Sequence, residues 1–189
     1  MIAVAKAFLL GLAVFAGHQG GVLLWEGAQR TARYSAARDY AEGRGKPLLV
    51  VGGPWGTSPF RTLFRVPGHG CGDICLDLNP QACAGCQFVE GDIRSIPFPD
   101  KFMGAAFASH VLEHLPTVAD AEQAVAELHR VADGVWVAYP SRQSLMARLH
   151  PGHHLWVAEQ DGYITFEQRG IPAAGVRCRC EGPTEGTIQ

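Results

Sequence analysis

The run Pro47-Leu48-Leu49-Val50-Val51, closed by Gly52-Gly53, leaves few folds open to this chain. It has no polar alternation, so a strand built from it is covered on both faces. Such strands lie in parallel sheets flanked by helices. The device recurs along the sequence. Asp73-Ile74-Cys75-Leu76-Asp77-Leu78 is closed by Asn79-Pro80, and Phe88-Val89-Glu90 is a third, shorter run. Gly104-Ala105-Ala106-Phe107-Ala108-Ser109 and Val135-Trp136-Val137-Ala138-Tyr139 make a fourth and a fifth. Between these two, Ala119 to Ala132 sets Ala121, Ala124, Val125, Leu128 and Val131 at the helical period. Trp156–Gln160 and Tyr163–Gln168 flank Asp161-Gly162, a short-range hairpin signal. The expectation is an α/β domain with a mostly parallel sheet, helices on both faces and an antiparallel C-terminal hairpin as a reversed edge. Only nine residues, Gln81 to Val89, run from the second strand's end into the third, too few for a helix of about 8 to 20 residues plus loops. One face is therefore pared down.

The N-terminus has a different character. Ala7 to Ala16 is unbroken apolar sequence, and apolar residues resume from Gly20 to Trp25. Residues 7–25 approach the roughly 20 positions that a membrane-spanning helix needs. A signal anchor is the reading adopted. A cleaved signal peptide, with Lys6 ahead of the run and Val14-Phe15-Ala16 as a cleavage site, competes with it, as does a helix buried on the domain. Arg30, Arg33, Arg38, Arg44 and Lys46 follow the run, whereas Lys6 alone precedes it. The positive-inside rule then leaves the body on the cytoplasmic side of a single-pass protein; a cytoplasmic protein is the alternative. Gly27 to Gly43 reads as a separate helix stopped by Gly43-Arg44-Gly45. The division expected is an apolar helix over residues 1–26, one domain over 27–170 and a loose tail over 171–189.

With 189 residues, 47% of them hydrophobic, the chain suits one folded domain. Sixteen basic against 18 acidic residues give a net charge of -2, which supplies no electrostatic footprint for nucleic acid. Cys71, Cys75, Cys83 and Cys86 form C-x3-C-x7-C-x2-C, close to zinc-ligand spacing. Ordinary thiols are the expectation, and a chain that buries an adequate core needs no disulfide framework.

Three segments in order, LLVVGGPWG at 48–56, ICLDLNP at 74–80 and FVEGDIRSIPFPDKFMGAAFASHVLEHL at 88–115, resemble class I S-adenosylmethionine-dependent methyltransferases, the type 11 group especially. With VWVAYPS, the likeness covers about residues 46–141. It implies a Rossmann-like sheet and S-adenosylmethionine as cofactor. Gly52, Gly53 and Gly56 would form the turn beneath the ligand. Asp77 would accept hydrogen bonds from the ribose hydroxyls, and Asp92, with the Ile93 backbone beside it, would take the adenine amino group. Ser109 and His110 would lie near the methionine part. His114 is the candidate general base. His150, His153 and His154, which follow the fifth strand, are candidates to orient the substrate, with metal binding or a proton relay as alternatives. No metal is assigned.

The pattern also departs from that family. Val50 stands where an acidic residue is usual, Pro54 replaces the second glycine, and Trp55 is bulky where small residues are common. Two functions follow: methyl transfer to a small-molecule or lipid acceptor, or a catalytically degenerate relative serving as a binding or scaffold protein. Residues 7–25 would supply membrane association.

Overall fold

The structure, a computed structural model, describes residues 2–56, 59–160, 162–170 and 176–178. Its first element, α1 (Ile2–Arg44), is a single 43-residue helix, about 65 Å long at 1.5 Å per residue. The two helices expected on either side of residue 26 are therefore continuous. Gly17, Gly20, Gly21 and Gly27 lie within it, and a Cβ at any of them would meet nothing within 4 Å. The halves still differ in role. Phe8, Leu9, Leu10, Val14, Leu24 and Trp25 are exposed, whereas Ala37 and Ala41 are fully buried against the sheet.

The parallel sheet consists of β1 (Leu48–Val51), β2 (Ile74–Asp77), β3 (Phe88–Glu90), β4 (Met103–Ser109) and β5 (Ala132–Ala138). Its order is β3-β2-β1-β4-β5 and every pairing is parallel. The order reverses beside β1, which opens a crevice at the strands' carboxyl ends. Side-chain alternation sorts the core into two layers. Leu48, Val50, Ala105 and Phe107 pack with Ala37 and Ala41 of α1. Leu49, Val51, Ala106 and Ala108 pack with Ala121, Ala124, Val125 and Leu128 of the helix Val118–Val131, α3. At Gly104 an added Cβ would lie 3.0 Å from the Ala41 Cα, so the small residues of β4 let α1 approach closely.

Two short helices, α2 (Pro59–Phe64) and α4 (Leu145–Leu149), lie in the loops after β1 and β5, and α3 (Val118–Val131) leads straight into β5. Thr117 caps α3, accepting from Asp120 N at 3.1 Å. Between β2 and β3 there is only a 3-10 turn, Pro80–Cys83, in place of a helix.

Two expectations are corrected. The hairpin β6 (Leu155–Gln160) and β7 (Tyr163–Gln168) is no edge of the parallel sheet. With β8 (Val176–Cys178) it forms its own three-stranded sheet, because its apolar face, Leu155, Val157, Ile164 and Phe166, is buried in the α3-side core. Val176–Cys178 is thus strand where a loose tail is expected; Asp161 and the rest of that tail lie outside the described residues. The cysteines also pair, Cys71 with Cys86 and Cys75 with Cys83. The turn after β2 folds back over the strand and brings their Cα atoms to 5.3 and 5.9 Å, within bridging reach.

Candidate functional site

The site gathers at the carboxyl ends of β1, β2 and β4. β1 runs into Gly52, whose φ of 79 belongs to the left-handed region that glycine tolerates. A Cβ there would sit 2.5 Å from the Ser109 carbonyl oxygen, and one at Gly53 would sit 2.0 Å from that of Ala82. The glycines are thus required by close approach of the chain's own backbone, at β4 and at the 3-10 turn. At the end of β2, Asp77 accepts from Gly53 N at 3.2 Å and from Asn79 N at 2.9 Å. β4 ends in buried Ser109, and His110 follows with a φ of 54, an uncommon conformation for a side-chain-bearing residue.

These ends enclose a cavity of about 600 Å³ lined by Gly52, Gly53, Gly56, Asp77, Ser109, His110, His114 and His150, together with Trp55. Trp55 donates its indole N–H to the Ala84 carbonyl at 2.8 Å, which holds the ring along the wall. A second cavity, about 420 Å³, shares His110 and is lined by Trp25, Glu26, Arg30, Arg33 and Tyr139. Arg33 is held there by the Val137 carbonyl and by Glu159 at 2.8 Å. No sequence feature marks this cavity, because much of its wall is α1, whose first half reads as an anchor.

Two expected cofactor residues lie apart from the main cavity. The Asp92 carboxylate is held by Arg94, whose Nη2 donates at 2.6 Å while its Nη1 reaches Asp120 at 2.8 Å. Hydrogen bonding by Arg94 keeps this carboxyl below the usual range. Asp92 therefore braces the β3–β4 loop against α3. Ile93 is buried in the α3-side core.

The histidines cluster. His114 sits at the end of a 3-10 turn, Leu112–His114, and its Nδ1 bonds the Gly152 carbonyl at 2.9 Å. His150 and His153 stack with ring centroids 4.4 Å apart, and His114 lies 4.7 Å from His153. Desolvation pushes the His153 imidazole down to about 4, against the pull of the Glu113 charge. His154 is exposed; its backbone N–H donates to the Glu113 carbonyl at 2.7 Å and so ties this loop to the 3-10 turn.

Glu113 is the residue that sequence reading missed. It is 1% exposed, and its Oε1 lies 3.3 Å from His110 Nδ1 without hydrogen-bond alignment. Burial pushes its carboxyl up, but the neighbouring His110 ring pulls it down and prevails. The available signal was its spacing three residues after His110 in HVLEHL.

Comparison with known proteins agrees with this architecture. Residues 69–135 match the family described as "Methyltransferase domain". No curated protein matches the chain. Among solved structures it resembles the S-adenosylmethionine-bound amino pentose methyltransferase CalS10 from Micromonospora echinaspora, with 22% identity over 75% of this chain and 60% of that one and a TM-score of 0.39.

 DesVI from Streptomyces venezuelae is 18% identical over 75% of this chain and 61% of its own, with a TM-score of 0.43. A sarcosine dimethylglycine methyltransferase structure from Galdieria sulphuraria is 18% identical over 48% of this chain and 37% of its own, with a TM-score of 0.33. The chain thus spans 37% to 61% of the lengths of these three proteins. Over residues 69–135, the chain is thus similar to the methyltransferase-domain family.

Proposed function

We propose that the chain transfers a methyl group from S-adenosylmethionine to a small-molecule or lipid acceptor. One observation carries the reading: Asp77, the glycine turn and the Ser109–His110 strand end line a single cavity at the carboxyl edge of a parallel sheet. The residues present fit the cofactor at its ribose end. Asp77 uses its oxygens on two backbone N–H groups and keeps lone pairs for a diol. The adenine end fits less well, because Asp92 is committed to Arg94. When bound, the cofactor supplies an electrophilic methyl group. The chain's own part is to hold the two reactants in line and to exclude water, and positioning of this kind carries much of the rate. In a metal-free site, His114 keeps its Nε2 lone pair for an acceptor proton, since Nδ1 faces a carbonyl. The cavity beside His110 is the place for the acceptor, and of the candidate orienting histidines His150, His153 and His154, it is His150 that lines the main cavity.

The degenerate-relative reading is favoured by two particulars: Pro54 offers no N–H at the turn, and Asp92 has another partner. Calorimetric titration of the full chain with S-adenosylmethionine separates the two. Methyl transfer requires saturable binding that Asp77→Ala weakens about tenfold or more, in line with a charge-assisted pair. No heat at millimolar cofactor ends the enzymatic reading.

For placement we propose that residues 7–25 of α1 anchor the protein in a membrane, supported by the exposure of that apolar stretch. A cytoplasmic body gives access to a cytosolic cofactor. Arg30, Arg33 and Arg38, three of the five basic residues after the apolar run, bind Gly68, Glu159 and Asp73 within the domain. The two disulfides favour a different placement, with the body in an oxidising compartment.

A further inference from the structure

We propose that His114, His150 and His153 form a three-histidine site for a transition-metal dication of the zinc class, with its fourth position open to the main cavity. Each ring offers one nitrogen, and the three nitrogens lie within 4.8 Å of one another. Zinc-bound nitrogens at about 2.1 Å stand roughly 3.4 Å apart in a tetrahedron, a difference that ring rotation closes. Two of the ligands already hold the required tautomer. His114 Nδ1 faces the Gly152 carbonyl at 2.9 Å and His153 Nδ1 faces the Ala147 carbonyl at 3.1 Å. A carbonyl only accepts, so each Nδ1 carries the proton and each Nε2 presents a free lone pair. Ligating histidines are oriented in this manner by their outer partners. His150 is the ligand that adjusts. Its Nδ1 accepts a long bond from Gly152 N at 3.2 Å, which a metal would displace.

A second observation points the same way. Glu113, adjacent to His114 in sequence, is 1% exposed; among the described residues neither of its carboxylate oxygens has a hydrogen-bond partner, and its neighbour at 3.3 Å, the His110 ring, is charged only when protonated. A buried carboxylate so poorly matched calls for positive charge nearby. A dication among the three rings, one of them on the residue next to Glu113, would meet that need. The loop is also braced, through His154 N to the Glu113 carbonyl at 2.7 Å. Imidazole ligands suit zinc, copper, iron or nickel rather than magnesium or calcium. His114 and His150 line the main cavity, which provides the entry path and the open position. The inference goes beyond methyl transfer and does not require it. Metal capture and proton acceptance at His114 exclude each other, because both use the same lone pair.

The test uses the untagged full chain in detergent, stripped with chelator and titrated with cobalt(II), whose visible absorption reports tetrahedral nitrogen ligation. One equivalent at micromolar affinity is expected, displaced by zinc. His114→Ala, His150→Ala and His153→Ala should each weaken binding about tenfold or more, while His154→Ala stays within about twofold. Circular dichroism of each variant separates ligand loss from unfolding, and His153→Gln repeats the test with less change in volume. No cobalt band in the wild-type chain overturns the proposal, as does equal loss in His154→Ala.

Discussion

Asp77 and Asp92 show how two similar carboxylates take different tasks from their neighbours. Among the described residues Asp77 accepts hydrogen bonds from two backbone N–H groups and lines the cavity, whereas Asp92 is paired with Arg94. Asp92→Ala is therefore expected to lower the melting temperature yet leave cofactor affinity within about threefold, whereas Asp77→Ala does the reverse; calorimetry and thermal melts read both. Gly53→Ala would place a methyl group 2.0 Å from the Ala82 carbonyl, a clash with backbone that no side-chain rotation relieves. A loss of about 3 kcal/mol is expected, measurable by urea unfolding. His69 packs against Phe107 and Tyr34, and burial drives its imidazole down to about 4. The folded ring stays neutral where the unfolded one protonates. Stability is thus complete above pH 6.5 and falls as pH drops toward 4, by at most about 1.4 kcal/mol per unit. His69→Phe should flatten that acid limb; an unchanged slope refutes the assignment.

At the level of elements, α1 joins two environments in one rod. Its C-terminal half contributes Ala37 and Ala41 to the sheet, while Glu26 accepts from Ser141 N at 2.7 Å and Gln19 from Leu145 N at 2.8 Å. Deleting residues 2–16 should therefore release the protein from membranes while the melting transition persists. Loss of both would show that the apolar half is needed for folding. The loop after β2 depends on its two disulfides. Closing a loop of 15 residues contributes about 3 kcal/mol, so reduction should lower the melting temperature by several degrees.

For the whole molecule, the open question of compartment is one of redox chemistry. Disulfides persist outside the cytosol, and the proposed cofactor resides within it. Maleimide labelling of membranes before and after reduction decides between them. A cytoplasmic body predicts that the part-exposed Cys71 and Cys86 label at once, and an oxidised body predicts that these two label only after reductant.

Local pattern was enough for the parallel sheet, since the uninterrupted apolar runs at 48–51 and 104–108 must be covered on both faces. It also placed Gly52, Asp77 and Ser109 at strand ends, where one crevice collects them. Partners distant in sequence were beyond its reach. Arg94 claims Asp92, Cys71 meets Cys86, and His114 meets His153 only after the chain has folded back. Covalent sequence determines which residues end a strand, because that depends on neighbours a few positions away. Which charges are matched, which thiols pair and which imidazoles converge depends on distances set by packing, and only the tertiary structure fixes those.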